Sequence, residues 1–452
     1  MKRVLIANRG EIALRVIRGC KMLGLETVAI YSRADKDSLH VHAADQAICV
    51  GEATNTDSYL NMPAVLMAVE ISGADAVHPG YGYFSERENF ADCLARMGVK
   101  FIGPTVDAIR AMGDKARAKE AAIRAGCPVV PGSEGRVEDE AAALEIARTI
   151  GFPVLLKAVA GGGGRGIRRV ADEAELRRQW PIAQSEAQAS FGDGDMIVEK
   201  CVERPRHVEV QVLADEHGNV VHLFERECSV QNLRHQKIIE EAPFAGMSES
   251  LRKRMGENAV AVAKAVGYTN AGTVEFLVDD QENFYFLEMN TRLQVEHPVT
   301  EWICNEDLVT LQLRIARGEK LPFEQDDLKM DGHAIEARIT AQDPDQDFAP
   351  STGLITRWNA PGGPGVRMDT HVYAGFLISP FYDPMIAKLI VKGRTRDEAV
   401  QRLENALGEF HVEGIKTNIE FLRRVVMHPD FRAGKVDTSF VPRFLSEGLI
   451  GV

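Results

Sequence analysis

An alternation at the start of the chain constrains the fold most. Over roughly the first hundred residues, short β-branched runs are separated by longer amphipathic stretches, the pattern of parallel strands joined by helical crossovers. Val4–Ala7, Thr27–Tyr31, Ala76–His78 and Lys100–Ile102 are the predicted strands. Between the first two, Ile12, Val16, Ile17 and Met22 fall near helical spacing within Glu11–Gly24, and Gly24 serves as a stop. This is a βαβ unit, and it makes the fold class α/β with a parallel sheet.

At 452 residues the chain exceeds what one hydrophobic core serves, so two or three domains are expected. Apolar residues at 45% and charged residues at 26% fit a soluble globular enzyme and exclude a disordered or fibrous chain. A net charge of -13 argues against nucleic acid as a partner, because neutralising phosphates needs a concentrated Lys/Arg surface. Cys20, Cys49, Cys93, Cys127, Cys201, Cys228 and Cys304 are scattered and never form a C-x-x-C pair, so they read as reduced core thiols. Met1-Lys2-Arg3 runs at once into a strand, leaving no room for a signal peptide. No apolar run approaches the roughly 18 residues of a membrane span. A cytoplasmic protein without a membrane partner is the expectation.

Further along, Pro153–Lys157 leads into Ala160-Gly161-Gly162-Gly163-Gly164-Arg165-Gly166. Four consecutive glycines sustain neither helix nor strand. They read as a mobile loop between strands Val154–Ala158 and Ile167–Val170. The region from about Val202 onward is richer in strands and hairpins early, with helices at Leu251–Val266 and Asp397–Phe410, and Gln342–Gly353 reads as a loop. No repeat, low-complexity segment or long linker interrupts the chain, so its regions are expected to pack as one body.

Thr273–Val278 and Phe284–Asn290 are alternating apolar runs around a polar turn, Asp279–Asn283, and so predict a β-hairpin. If Val278 pairs with Tyr285, Glu275 lies opposite Glu288, and the period of two adds Asn290 to the same face. Opposed carboxylates repel unless neutralised, and their oxygens suit magnesium. A solvated sheet face is the alternative; two glutamates in register, followed by the charged stretch Arg292–His297, favour the metal.

The glycine run, with Lys157 before it, has the parts of a phosphate cover, yet it matches neither the P-loop nor the dinucleotide fingerprint. On its own it reads equally well as a flexible surface hairpin. Lys115 is a second candidate phosphate lysine at a helix start. Arg234–Lys237 and Arg292–His297 mix cations with a carboxylate, which suits either a small anion beside a base or a surface ion-pair network. His207 falls on a strand, where a structural role is the default; His40, His42 and His78 lack zinc-ligand spacing.

Ile6–Ala13, His78–Tyr83, Lys157–Gly166, Arg206–Glu209, Glu288–Thr300 and Phe381–Met385 together, in this order, resemble the biotin carboxylase family of ATP-grasp enzymes over essentially the whole chain. The resemblance implies an ATP-grasp fold: an N-terminal α/β domain (residues 1–115), a small mobile lid with the glycine loop (116–202), a central region with the metal and bicarbonate site (203–330) and a C-terminal α+β region (331–452), with ATP between lid and body. It places Lys115, Lys157, Gly163, Gly164, His207, Gln231, His235, Glu275, Leu277 and Glu288 at ATP, with Glu199, Lys200, Cys201 and Val202 as the adenine hinge. Glu275, Glu288 and Asn290 would hold magnesium or manganese. Lys237, Arg292, Gln294 and Val295 match the bicarbonate site, Glu296 the base, Arg338 the arginine that stabilises the biotin enolate, and Tyr81 a wall of the biotin pocket. Lys237, Arg292, Glu296 and Arg338 are thus the implied catalytic residues.

Two departures stand out. Cys228–Lys237 is one residue longer than the family's pattern, which displaces Gln231 but leaves His235 and Lys237 anchored; in the lid, Ala160 and Ile167 replace a glycine and a methionine. The chain carries no Ala-Met-Lys-Met biotinylation segment, and no carboxyltransferase follows residue 452, so a biotin carboxyl carrier protein and a carboxyltransferase are expected as separate chains. Homodimerisation is implied by the family. The rival readings are a carboxylate-amine or carbamoyl-phosphate-type ATP-grasp ligase and a catalytically silent nucleotide-binding subunit.

Overall fold

The computed structural model describes residues 1–159 and 166–447. Its contacts divide the chain into two compact units: Met1–Cys127, Arg206–Phe276 and Glu288 onward form the first, Pro128–Pro205 and Leu277–Leu287 the second.

The first unit begins with five parallel strands in the spatial order Gln46–Gly51, Glu26–Ser32, Arg3–Ile6, Ala76–His78, Lys100–Phe101. Four are the predicted strands to within a residue at either end. The edge strand Gln46–Gly51 was not predicted; Val50 is its only buried residue, so no apolar alternation marks it. Helix Gly10–Met22 follows the first strand and buries Ile12, Ala13, Val16, Ile17 and Cys20. Its larger side chains contribute about 1.5–3 kcal/mol each relative to exposure.

The first strand lies at the centre of this sheet, and the crossovers leave it in opposite directions. At such a switch point a crevice opens beyond the carboxyl ends of the two central strands. Here those ends run into Ala7–Gly10 and Pro79–Tyr83. Asn8 ties them, its Nδ2 donating to the carbonyls of Pro79 and Tyr81, both at 2.7 Å. Gly80 has a positive φ of 64°, and a Cβ there would stand 2.8 Å from Asn8 Nδ2. Only glycine closes this junction without strain.

An eight-stranded sheet has the order Phe284–Asn290, Asn270–Val278, Arg206–Ala214, Val220–Gln231, Lys237–Ala242, His333–Thr340, Met385–Gly393, Val366–Thr370, with residues Leu277–Leu287 of its first two strands counted in the second unit. Helix Glu249–Ala265 packs on its middle strands and helix Arg396–Glu409 on its far end. Both were predicted, each starting one or two residues earlier. Gln342–Gly353, read as a loop, instead holds the paired strands Gln342–Asp343 and Ala349–Pro350 and begins a third at Gly353. Pairs this short carry too few residues for a periodic signal.

In the second unit Val154–Ala158 is the central strand, antiparallel to Ile167–Val170 and Met196–Lys200. Helices Glu140–Ile150 and Glu173–Phe191 cover it through Leu144, Ala147, Leu176 and Trp180. Helix Lys115–Arg124, which beyond Lys115 falls in the lid as drawn from sequence, belongs to the first unit, where it packs on helix Glu249–Ala265. Gly163 and Gly164 lie outside the described residues.

The cysteines are in part a correction. They form no disulfide, and Cys20, Cys127, Cys228 and Cys304 are buried; Cys49 is exposed, and Cys93 and Cys201 are half-buried. Their scattering indicated oxidation state but not burial. No described helix is long and apolar enough to cross a membrane.

Candidate active site

A cavity of about 690 Å³ in the first unit is lined by the switch-point loops, by the strands carrying His207, Glu275 and Arg338, and by Arg292–Glu296. Its centre is Lys237, whose ammonium donates to Glu209 (2.7 Å), Glu275 (3.0 Å) and Glu296 (2.8 Å). Burial alone would lower the lysine's pKa; the three glutamates outweigh it and hold the group well above its ordinary value.

Each glutamate has further partners. Glu209 accepts from Arg226 Nε at 2.5 Å, and Arg226, fully buried, also donates to Gln211 and Thr300, both at 2.8 Å. Glu275 Oε1 accepts from Asn290 (2.8 Å) and Gln294 (3.0 Å), and its Oε2 lies 2.7 Å from His207 Nε2. Gln231 donates to His207 Nδ1 at 2.9 Å, which leaves Nε2 as the donor to Glu275. Glu296 accepts from Arg338 Nη2 at 3.0 Å, and Arg338 Nε donates to Glu240 at 2.6 Å. Burial would raise both Glu275 and Glu296. Lys237 and His207 hold the first well below the usual carboxylate range, and Lys237, Arg338 and Arg226 do the same for the second. Glu240 is pushed up to about 7 by burial, against Arg338.

Arg292 donates to Gln294 (2.6 Å), Asn290 Oδ1 (2.9 Å) and Glu86 (2.9 Å). Lys237, Arg292, Gln294, Val295 and Glu296 therefore line one cavity wall, where cations and a paired carboxylate can receive a small anion. Glu296 is fixed by the start of helix His297–Cys304, whose first turn contains Pro298. Tyr81, on the opposite loop, donates its hydroxyl to Glu11.

The hairpin forms, but Asp279 N donates to Asn283 O (3.0 Å), one residue away from the expected register at the turn. Side-chain alternation then breaks, since Leu287 and Glu288 are both exposed. Glu288 still lies near Glu275: partial burial, then the Glu275 charge, raises its carboxyl. Glu275, ionised and paired, and Glu288, raised beside it, offer hard carboxylate oxygens close together, and they fit magnesium. Asn290 donates its amide to Glu275, and its oxygen accepts from Arg292. The tight clusters His207/Glu209/Glu275 and Glu209/Cys228/Glu296 are neutralised by Lys237, Arg226 and Arg338.

The extra residue between Cys228 and Lys237 is absorbed locally. Register shifts precede Gln231, and Asn232 closes the loop by accepting from the amides of Arg234 (2.9 Å) and Gln236 (3.1 Å), with His235 at a positive φ of 58°. Gln231 keeps its contact with His207. Lys115 is the first residue of its helix, capped by Asp114, and its charge offsets part of the rise at Glu288. In the second unit Lys157 pairs with Glu199, Lys200 donates to the carbonyls of Gly151 and Phe152 (both 2.9 Å), Cys201 and Val202 follow, and Leu277 is half-buried. Sequence reasoning assigned no role to Glu209, Gln211, Arg226, Glu240 or Glu86. Glu209 and Gln211 alternate with valines in Val208–Val212, a pattern that marks a polar face without saying that it is buried.

A parallel sheet with a crevice at its switch point, a small unit built on strand Val154–Ala158, and an antiparallel sheet presenting glutamates and lysine define the ATP-grasp class of ligases. Residues 1–109 match the family described as biotin carboxylase, N-terminal domain, residues 114–324 the carbamoyl-phosphate synthase L chain, ATP binding domain, and residues 336–443 the biotin carboxylase C-terminal domain. A biotin carboxylase from Nostoc sp. is 52% identical over 97% of this chain and 98% of its own. The structure of a biotin carboxylase from Campylobacter jejuni in a β-γ-ATP complex superposes with a TM-score of 0.91 at 48% identity, covering 98% of each chain. The biotin carboxylase domain dimer of Hydrogenobacter thermophilus 2-oxoglutarate carboxylase, in complex with MgADP, ADP and bicarbonate, gives a TM-score of 0.89 at 48% identity, again over 98% of each chain. The chain belongs to the biotin carboxylase family, ligases that carboxylate biotin with ATP and bicarbonate.

Proposed function

We propose that the chain carries out the first half-reaction of a biotin-dependent carboxylase on biotin attached to a separate carrier protein, with Glu296 as the base that deprotonates bicarbonate. The observation that carries this assignment is the placement of Glu296 between Lys237 and Arg338 on the cavity wall shared with Arg292. Held so far below the usual carboxylate range, Glu296 is ionised but weakly basic. Bicarbonate drawing Lys237 onto itself releases Glu296 toward a useful basicity. The deprotonated anion attacks the γ-phosphorus of ATP, forming carboxyphosphate and ADP. Carboxyphosphate breaks to carbon dioxide and phosphate, phosphate takes the ureido proton of biotin, and the enolate adds to carbon dioxide. Arg338 faces the oxygen on which that charge develops, and Tyr81 lines the biotin side.

His207, Gln231, His235, Lys115, Lys157, Leu277 and Glu199–Val202 serve the nucleotide, as do Gly163 and Gly164. Magnesium or manganese would be held by Glu275, Glu288 and Asn290, Asn290 also donating to Glu275, and would supply the positive charge that ATP phosphates need. The carrier and a carboxyltransferase are separate chains, and the chain acts as a homodimer. The test is phosphate release from Mg-ATP with and without bicarbonate, then with free biotin. Dependence on bicarbonate and stimulation by biotin are expected; turnover indifferent to both overturns the assignment.

A further inference from the structure

Lys388 lies behind the cavity and outside its lining, on the strand Met385–Gly393, and is fully buried. Its ammonium donates to the carbonyl of Val295 at 2.9 Å, lies 3.2 Å from Glu11 Oε1 and reaches Asp369 at 4.0 Å. Glu11 Oε1 is also the oxygen that accepts from the Tyr81 hydroxyl. Register puts Lys388 directly opposite Arg338 on one neighbouring strand and opposite Asp369 on the other. One cation, from one strand, therefore touches the backs of two walls: the Val295–Glu296 peptide on the bicarbonate side and, through Glu11, the tyrosine on the biotin side.

Packing alone does not call for a lysine here. Replacing a buried ion pair with apolar residues of similar volume is commonly neutral or stabilising. What an apolar residue lacks is a donor to fix the Val295 carbonyl and a charge to hold Glu11. The peptide it fixes leads directly into Glu296, and a displacement of about 1 Å at a reacting group costs as much as about 100-fold in rate.

We infer that Lys388 is a positioning residue, holding the Val295–Glu296 peptide and the Glu11–Tyr81 pair in the geometry that bicarbonate and biotin require. The inference rests on the function proposed above. Its test is steady-state phosphate release by the full chain carrying Lys388→Met, with bicarbonate and Mg-ATP varied separately, and then with biotin varied. The KM for bicarbonate is expected to rise about tenfold or more, with a parallel rise for biotin, while the KM for ATP stays at the parent value. A merely structural role moves all three together. The milder Glu11→Gln keeps the side-chain shape and a group for Tyr81, and is expected to raise the KM for biotin first. Should Lys388→Met not fold, its combination with Glu11→Gln, which removes the uncompensated carboxylate, is measured in its place. A folded variant with unchanged KM for bicarbonate and biotin overturns the inference. A parent enzyme whose turnover ignores bicarbonate overturns the functional assignment instead, and the inference with it.

Discussion

Removing the Lys237 ammonium by Lys237→Met tests the electrostatic account of the cavity. Its three contacts, at 2.7, 2.8 and 3.0 Å, are each worth about 6 kcal/mol of attraction at an effective dielectric of 20, before desolvation is counted. Breaking a buried pair in this way costs about 3–5 kcal/mol, because the partner is left uncompensated. Here Glu209 retains Arg226, Glu296 retains Arg338, and Glu275 retains His207, Asn290 and Gln294, so the lower end applies. A loss of about 3 kcal/mol corresponds to a fall in Tm of roughly 5 °C for a unit of this size. The sign of the pH dependence follows. In the parent, Glu275 and Glu296 are depressed, so they contribute stability above the unfolded carboxylate pKa of about 4.3, and lose it as pH falls through their lower folded values. In the variant their pKa values rise, and a raised carboxylate loses stability as pH increases through it. The gap in Tm between parent and variant is therefore widest at neutral and alkaline pH and closes toward pH values of about 4. Thermal unfolding followed by circular dichroism across that range measures it. A gap that does not change with pH refutes the reasoning.

Arg338→Gln is expected to leave bicarbonate-dependent phosphate release in place but to lower biotin carboxylation by about 10²–10³-fold, read from the ratio of carboxybiotin to phosphate formed. Equal loss of both rates contradicts the role given to Arg338. Glu288→Gln is expected to raise the magnesium concentration for half-maximal turnover about tenfold, equivalent to ~1.4 kcal/mol. An unchanged magnesium requirement removes Glu288 from the metal site.

The N-terminal sheet was legible because its central strands are buried, mostly apolar runs, whereas the edge strand Gln46–Gly51 buries only Val50 and leaves no pattern to read. The hairpin was legible as an element, but its register depends on turn hydrogen bonds made by Asp279 and Asn283, which periodicity does not encode. The extra residue before Lys237 sits in a loop closed by Asn232, and Gln231 donates to His207. Motif order led to Lys237, Arg292, Glu296 and Arg338, and they line one cavity. The acids and bases behind them were hidden for a common reason. Glu209, Glu240 and Lys388 sit on strands buried on both faces, where a polar residue at period two looks the same in sequence as one facing water.

The central claim is that Glu296 starts the carboxylation of biotin by taking the proton of bicarbonate. Its most direct test is transfer of radiolabelled bicarbonate to biotin, with Mg-ATP present, by the parent and by Glu296→Gln. The parent is expected to form carboxybiotin, and the variant to lose about 10²–10⁴-fold in rate while binding Mg-ATP as the parent does. Carboxybiotin formed by the variant at the parent rate would contradict the account.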